Sequence, residues 1–183
     1  MDNQRGKNDG ELNWLAGIVE GEGSIGVNFG QYKSSITFFP HVMLGNSDLS
    51  MMEEALRILH SYGVSGHIAH RNHARSKLLM HHLQLTGMKR VAAFLDLLLP
   101  FMRTTNKRTD AVLAREFIQS RLSREKYHGY TKREIEIFSE LRARHGRPPI
   151  IFLRDLMPSP ESIASFRVKI KSSPSRKLRN QLL

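Results

Sequence analysis

Two glutamates carry the chemistry most legible in this chain. Glu20 and Glu22 close the stretch Leu15-Ala16-Gly17-Ile18-Val19-Glu20-Gly21-Glu22-Gly23, which runs directly into Ser24-Ile25-Gly26-Val27-Asn28. Leu12, Leu15, Ala16 and Val19 recur at helical spacing, so the stretch predicts a helix with one buried face. Both acids then fall in its last turn, with Gly23 placed to end it in a left-handed cap. A helix C-terminus is the partially negative end, so carboxylates gathered there repel it and one another. Acids in that position call for a cation.

Trp14, Gly17, Ile18 and Gly21 share a neighbouring face of the same helix. Two glycines inside a helix cost about 1 kcal/mol each relative to alanine. Four residues apart, they bare successive turns and let a second backbone come close. A second copy of this helix is the simplest occupant, which makes Trp14, Gly17, Ile18 and Gly21 the expected dimer interface. Paired in this way, two helices bring both Glu22 carboxylates to the base of the interface. A divalent metal ion is the natural neutraliser there, with Glu22 and Gly21 as the metal-holding positions.

The stretch resembles the signature of the LAGLIDADG homing endonucleases. Leu15-Ala16-Gly17 matches letter for letter, Ile18-Val19 fills the aliphatic pair, and Glu20 and Glu22 stand for the two acids. Gly21 is the small residue between them, and Gly23-Ser24 the usual continuation. Glutamate in place of both family aspartates retains the charge and adds a methylene of reach. The resemblance implies Mg²⁺ or another divalent cation such as Mn²⁺, Glu22 as the metal-binding catalytic acid, and Glu20 as a support for the helix end. It also sets Asn46 where relatives carry a polar residue that orients water at the scissile phosphate, although Asn46 is equally an ordinary helix cap. Relatives place a phosphate-stabilising cation near the end of the fourth strand. Here that region reads Leu83-Gln84-Leu85-Thr86, a departure that leaves Lys89 and Lys107 as candidates.

These residues need a frame to hold them. Met1 to Gly10 reads as a polar lead-in, with Asn8 or Asp9 available as N-cap. Ser24 to Phe29 and Ser35 to Leu44 alternate as strands around the turn Gly30 to Ser34, with Pro40 an irregularity. Asn46-Ser47-Asp48 opens a helix carrying Leu49, Met52, Leu56 and Leu59, ended by Gly63. Val64 to Arg71 and Ser76 to Thr86 read as two more strands, and Gly87 precedes a helix with Val91, Phe94, Leu95 and Leu98. The order αββαββα predicts an α+β fold: an antiparallel four-stranded, saddle-shaped sheet with helices on one face and extra C-terminal helices. The resemblance covers roughly Leu12 to Met102 and continues through Asn106-Lys107-Arg108 toward Ile118.

Within that frame, Ser24, Asn28, Thr37, His41, His67, Arg71, His82 and Gln84 fall by alternation on the uncovered face. Lys33 and Arg75 sit in the connecting turns. A two-stranded ribbon fits the DNA major groove, and such side chains reach base edges. The nine histidines include no pair four apart on a helix and no His-Asn-His pattern, so a zinc site is not expected.

The chain has 183 residues, 40% hydrophobic and 25% charged, as in a globular protein. Its net charge of +11 favours a polyanionic partner. Cysteine is absent and no secretory leader is visible, so an intracellular setting and no membrane partner are expected. Thr109 to Leu122 carries Val112, Leu113, Phe117 and Leu122. Thr131 to Arg144 carries Ile135, Phe138 and Leu141 behind a Thr-x-x-Glu capping box. We divide the chain into an endonuclease domain over residues 1–145 and a basic extension over residues 146–183.

Only one signature occurs, so a two-fold homodimer is expected, reading a long, roughly palindromic duplex. The resemblance implies an intron-encoded, metal-dependent nuclease leaving short 3′ overhangs. The alternatives are a maturase that binds intron RNA without cutting and a non-cleaving DNA-binding protein.

Overall fold

A computed structural model describes residues 2–32, 35–72, 78–124 and 129–147. Helix α1 (Asp2–Glu22) leads into strands β1 (Gly23–Tyr32) and β2 (Ser35–Asn46), then helix α2 (Leu49–Ser61). Strands β3 (His67–Asn72) and β4 (Leu79–Thr86) follow, then helices α3 (Met88–Leu98), α4 (Thr105–Leu122) and α5 (Lys132–Arg144). The sheet is antiparallel throughout, in the order β1-β2-β4-β3. The α+β class and the αββαββα order expected from the sequence are those observed.

Alternation sorts the sheet into two faces. Ile25, Val27, Phe38, Val42, Leu44, Leu83 and Leu85 are buried beneath the helices. α2 adds Met52, Ala55, Ile58 and Leu59, and α3 adds Val91, Phe94, Leu95 and Leu98. The β1–β2 hairpin extends past the end of β4, since pairing of β2 with β4 begins only at His41. Pro40 falls one residue short of that ladder, where β2 has a single partner strand. This explains why a residue without an N–H is tolerated inside β2.

α4 and α5 cover the overhanging hairpin. Phe138 stacks on Phe38 with ring centroids 4.5 Å apart and meets Phe29 edge-on at 6.0 Å. Phe38 donates its N–H to the Tyr130 hydroxyl at 2.8 Å, replacing the strand partner that β4 does not supply there. Val112 and Leu122, expected in the core, are each 48% exposed, because α4 buries its Ala111, Leu113, Ala114, Phe117 and Ile118 side instead.

Several local expectations change. α1 runs back to Asp2, so neither Asn8 nor Asp9 caps it, and the backbone oxygen of Asp9 instead accepts from the Asn13 side chain at 2.7 Å. α2 is capped by Asp48, whose Oδ1 accepts from Ser50 N at 2.9 Å and Met51 N at 3.3 Å, and not by Asn46. Gly63 ends α2 with φ +73°, as expected, whereas Gly23 is not left-handed and enters β1 directly. Gly23 is needed for room: a Cβ there would stand 2.3 Å from the Val19 carbonyl oxygen. β3 begins at His67, later than expected; the basic turn, residues 73–77, lies outside the described residues.

The capping box of α5 forms in both directions: Glu134 N–H donates to Thr131 Oγ1 at 3.2 Å, and Thr131 N–H to Glu134 Oε2 at 2.9 Å. Glu134 is also wholly buried against Arg124, with Arg121 3.7 Å away and the Ser120 hydroxyl donating at 2.7 Å. Burial works to raise its pKa. Hydrogen bonds from Arg124, Ser120 and the Thr131 backbone, with the Arg124 charge, outweigh burial and hold it below the usual carboxylate value. A lowered folded pKa gives stability that is present above the unfolded value and lost as pH falls through the folded one. Glu134→Gln should cost about 3 kcal/mol at neutral pH, since it strands buried arginine donors. Urea unfolding at a series of pH values should also show the variant losing less stability than wild type on acidification.

Candidate active site and nucleic-acid interface

The acidic end of α1 meets the start of α4. Glu20 Oε1 accepts from the Arg103 backbone N–H at 2.6 Å, and from the Thr104 backbone N–H and its hydroxyl, the latter at 2.9 Å. Partial burial opposes the charge on Glu20, but the Thr104 and Arg103 hydrogen bonds and the Arg103 guanidinium hold its pKa below the ordinary value. Glu20 therefore caps α4, setting a carboxylate against the positive end of that helix. Lys107, in the next turn, donates Nζ to the Gly23 carbonyl oxygen. Of the two candidate cations, Lys107 thus stands one residue from Glu22; nothing ties Lys89 to this end of α1.

Glu22 is exposed and, among the described residues, makes no hydrogen bond or ion pair. No cluster of three or more His, Cys, Asp or Glu able to hold a metal ion forms among the described residues. Asn46 lies two residues past Leu44, the β2 partner of Gly23, so it reaches the same end of the sheet as Glu22. Its Oδ1 accepts from Asp48 N–H at 2.9 Å, fixing the amide where β2 turns into α2.

Among the described residues, nothing covers the outward side of α1. Trp14 is 40% exposed, and a Cβ at Gly17 or Gly21 would meet nothing within 4 Å. Gly10 continues the same empty line. Ile18, by contrast, is half-buried and packs against the chain's own core.

All the described residues expected on the helix-free face lie there. Ser24 and Asn28 share parity with Gly26; Thr37 and His41 with Phe39; His82 and Gln84 with Thr86; His67 and Arg71 with Ala69. Gln84 lies opposite His67 on one side and Met43 on the other. Lys33 and Arg75 fall outside the described residues. Glycines make room for two rings: a Cβ at Gly45 would be 3.0 Å from His82 Nδ1, and one at Gly26 3.1 Å from His41 Cε1.

Two of these positions are covered, which the sequence reading missed. The backbone passes the end of α5 around the β1 edge, turning at Gly146 (φ +65°), and Arg147 Nη1 donates to Asn28 Oδ1 at 3.2 Å. Beside it, the His145 ring comes within 3.6 Å of where a Gly26 Cβ would be. Burial, then Arg147, then His145 push the His41 pKa down to about 4. His41 Nδ1 is closed to solvent without a hydrogen-bond partner. His41 thus lies flat and neutral beneath its neighbours, whereas Arg71 and His67 are exposed. A run of basic residues broken by a glycine was the available signal, but no local pattern shows which face such a turn will reach.

A second unanticipated contact joins His70 and His81, whose Nδ1 atoms lie 2.7 Å apart across β3 and β4 on the helix side.

The structure thus sets a four-stranded sheet, with helices on one face and polar and basic side chains on the other, beside an acid-ended helix. Residues 9–98, just under half of the chain, match the family model described as a LAGLIDADG-like domain, the family to which the signature pointed. Solved structures agree in fold. The archaeal intron-encoded homing endonuclease I-Vdi141I, complexed with DNA, is 18% identical with a TM-score of 0.58, over 74% of this chain and 84% of that one. I-CvuI, in complex with the I-CreI target in the presence of Mg, is 16% identical with a TM-score of 0.53, over 85% and 87%. The LAGLIDADG homing endonuclease I-GzeII, in complex with its DNA target, is 16% identical with a TM-score of 0.56, over 90% of this chain but 54% of that one. No curated protein matches in sequence.

Because Glu20 caps α4, its removal should show first in stability. Glu20→Ala should lose about 1 kcal/mol in urea unfolding, with Glu20→Gln, which retains an acceptor, losing less.

Proposed function

We propose that this chain is a site-specific DNA endonuclease that works as a two-fold homodimer with a divalent metal, Mg²⁺ or Mn²⁺. The observation that carries this reading is the exposed, unpartnered Glu22 at the end of a bare glycine-lined helix, one residue from the carbonyl held by Lys107. One chain offers a single carboxylate there. Hard divalent cations take six or more oxygen ligands, so the donor set suits such an ion only once a second copy and the DNA phosphates add theirs. The length relation supports the same assembly, since the chain matches about half of I-GzeII. When bound, the cation supplies Lewis acidity at the scissile phosphate.

Each residue of the chain then has a distinct task. Glu22, with the Gly21 backbone beside it, would hold the cation. Glu20 keeps α1 and α4 in register, so that Lys107 lies beside the acids. The Lys107 ammonium offsets charge developing on the phosphate. Asn46, anchored through Asp48, orients water by its amide. Ser24, Thr37, His67, Arg71, His82 and Gln84 face the major groove, where Arg71 can pair with a guanine edge. The +11 charge supplies the salt-dependent part of binding. Two saddles related by a two-fold read a roughly palindromic duplex. Staggered cuts with short 3′ overhangs, an origin within an intron and an intracellular setting complete the reading.

Two experiments test it. Glu22→Gln should leave gel-shift affinity unchanged or tighter, because two carboxylates no longer repel the phosphates. Its Mg²⁺-dependent cleavage should fall by several orders of magnitude, with Lys107→Ala also impaired and Glu20→Gln milder. Near wild-type cutting by Glu22→Gln would refute the metal assignment; duplex binding with no cleavage in Mg²⁺ or Mn²⁺ would leave a binding protein. Separately, Gly21→Leu should sediment as a monomer while wild type sediments as a dimer without DNA. A monomeric wild type at micromolar concentration would overturn the assembly.

A further inference from the structure

At the β1 edge, where the end of α5 meets the sheet, His41, Arg142, His145 and Arg147 line a small open notch together with Gly26, Val27 and Leu141. We propose that this notch seats one phosphate of the DNA backbone, outside the region where strand residues face the bases. The inference rests on DNA lying along the helix-free face and adds a defined contact at its margin.

The notch brings the like charges of Arg142 and Arg147 together beside two histidine rings. The carboxylate nearest it, Asp110 on α4, is already shared: Oδ1 accepts from Arg144 Nε at 2.5 Å, and Oδ2 lies 3.1 Å from His145 Nε2. Arg144 also turns away, donating Nη2 to the Asn106 carbonyl at 2.9 Å. The negative end of α5 accounts for a cation in this place, but not for Arg147, which reaches past it to Asn28. Repulsion shows on both sides. Arg142 is held below its usual pKa by burial and then by Arg147, and His41 is pushed down to about 4 by burial, Arg147 and His145. His41 Nδ1 has no partner. Gly26 makes room for the His41 ring, since a Cβ there would stand 3.1 Å from its Cε1.

An entering anion would offset the repulsion among these cations, while the burial of the groups stays as it is. Arginine guanidinium groups present several N–H donors in a plane suited to a phosphate's oxygens. The walls carry positive charge and several N–H donors, which match a phosphodiester's charged oxygens better than a neutral base. Such a contact fixes the register of protein on duplex without reading sequence. It also couples to protons. A bound anion favours protonated His41, which burial and its cationic neighbours otherwise hold neutral, so anion affinity should rise as pH falls from about 7 toward 5. Arg142, Arg144, His145, Arg147 and Asp110 are the charged and titratable groups around this ring and its neighbour.

Histidine-labelled full-length protein, without DNA, is titrated with inorganic sulfate, whose charge is constant over this range, and followed by NMR. The His41 and His145 ring signals should shift saturably, more at pH 5.5 than at 7, with His41 titrating at higher pH when sulfate is bound. Arg147→Ala should lose this response while keeping the wild-type amide spectrum, and Arg71→Ala should keep it. With duplex bound to the two-fold dimer, Arg147→Ala should reduce the slope of log affinity against log salt by about 2, about 1 for each subunit. Wild type should lose affinity at one methylphosphonate position in each half-site, to which Arg147→Ala is indifferent. Unmoved histidines with an unchanged salt slope would overturn the proposal. A saturable sulfate response without any Arg147-dependent phosphonate position would make the notch a site for free anions, and also overturn it. A protein that responds to sulfate through Arg147 but binds no duplex would overturn the endonuclease reading and leave only the anion-binding notch.

Discussion

The contact between the end of α1 and the beginning of α4 organises the functional end of this molecule. A helix that ends in two glutamates is electrostatically unfavourable alone, because its carbonyl dipoles and carboxylates carry the same sign. The chain answers with the opposite helix end. Backbone N–H groups at Arg103 and Thr104, together with the Thr104 hydroxyl, take up Glu20, and Lys107 takes the Gly23 carbonyl. The two acids are thereby separated in role: one is consumed in joining helices distant in sequence, and the other stays exposed. This polar link adds to the apolar packing of Leu12, Leu15, Ala16 and Val19, and the two together fix the direction of α1 and so of the glycine line and Glu22.

The sheet divides its labour by parity. Residues of one parity bury Ile25, Val42, Leu44, Leu83 and Leu85, so the other parity must face away from the helices. This made the face legible from sequence, since a one-residue slip would expose the whole apolar set. The signature helix, the strand pairs and the capping box of α5 were legible for the same reason: each depends on residues close together in the chain. Gly23 was read as a glycine but given the wrong cause. Its need for room against Val19 arises only once the chain turns directly from helix into strand, which propensity cannot show.

What escaped the sequence reading depends on long-range packing. His41 has the alternation of a groove-facing residue, yet it lies beneath His145 and Arg147, more than a hundred positions away. Asn28 is similarly engaged by Arg147. Nothing in the local pattern around Pro40 and His41 encodes where the end of α5 will arrive. Its arrival follows from Phe38, Phe117, Tyr130 and Phe138, which fasten the two C-terminal helices to the overhanging hairpin. The aromatic cluster thus sets the placement of basic side chains at the β1 edge, linking core packing to the charge of the opposite face. The choice between Lys89 and Lys107 was open for a related reason, since α4 reaches the acids only through the 3₁₀ turn at Leu99–Phe101.

The exposed glycine line on α1 and the lone Glu22 bear on each other. Bare helix surface costs stability in a single chain, because two glycines and an exposed Trp14 give α1 less helix propensity and less burial than its length would allow. A single carboxylate is likewise a poor site for a hard cation. Under the proposed assembly one event removes both deficits: the glycines admit a second helix, and the second helix carries the second carboxylate. Hydrolytic competence is then tied to the two-fold arrangement that also sets the spacing of the two saddles. A lone subunit on non-specific DNA would hold neither the full donor set nor the second half of the reading surface. In this arrangement the incompleteness of the monomer is itself the safeguard against unspecific cutting.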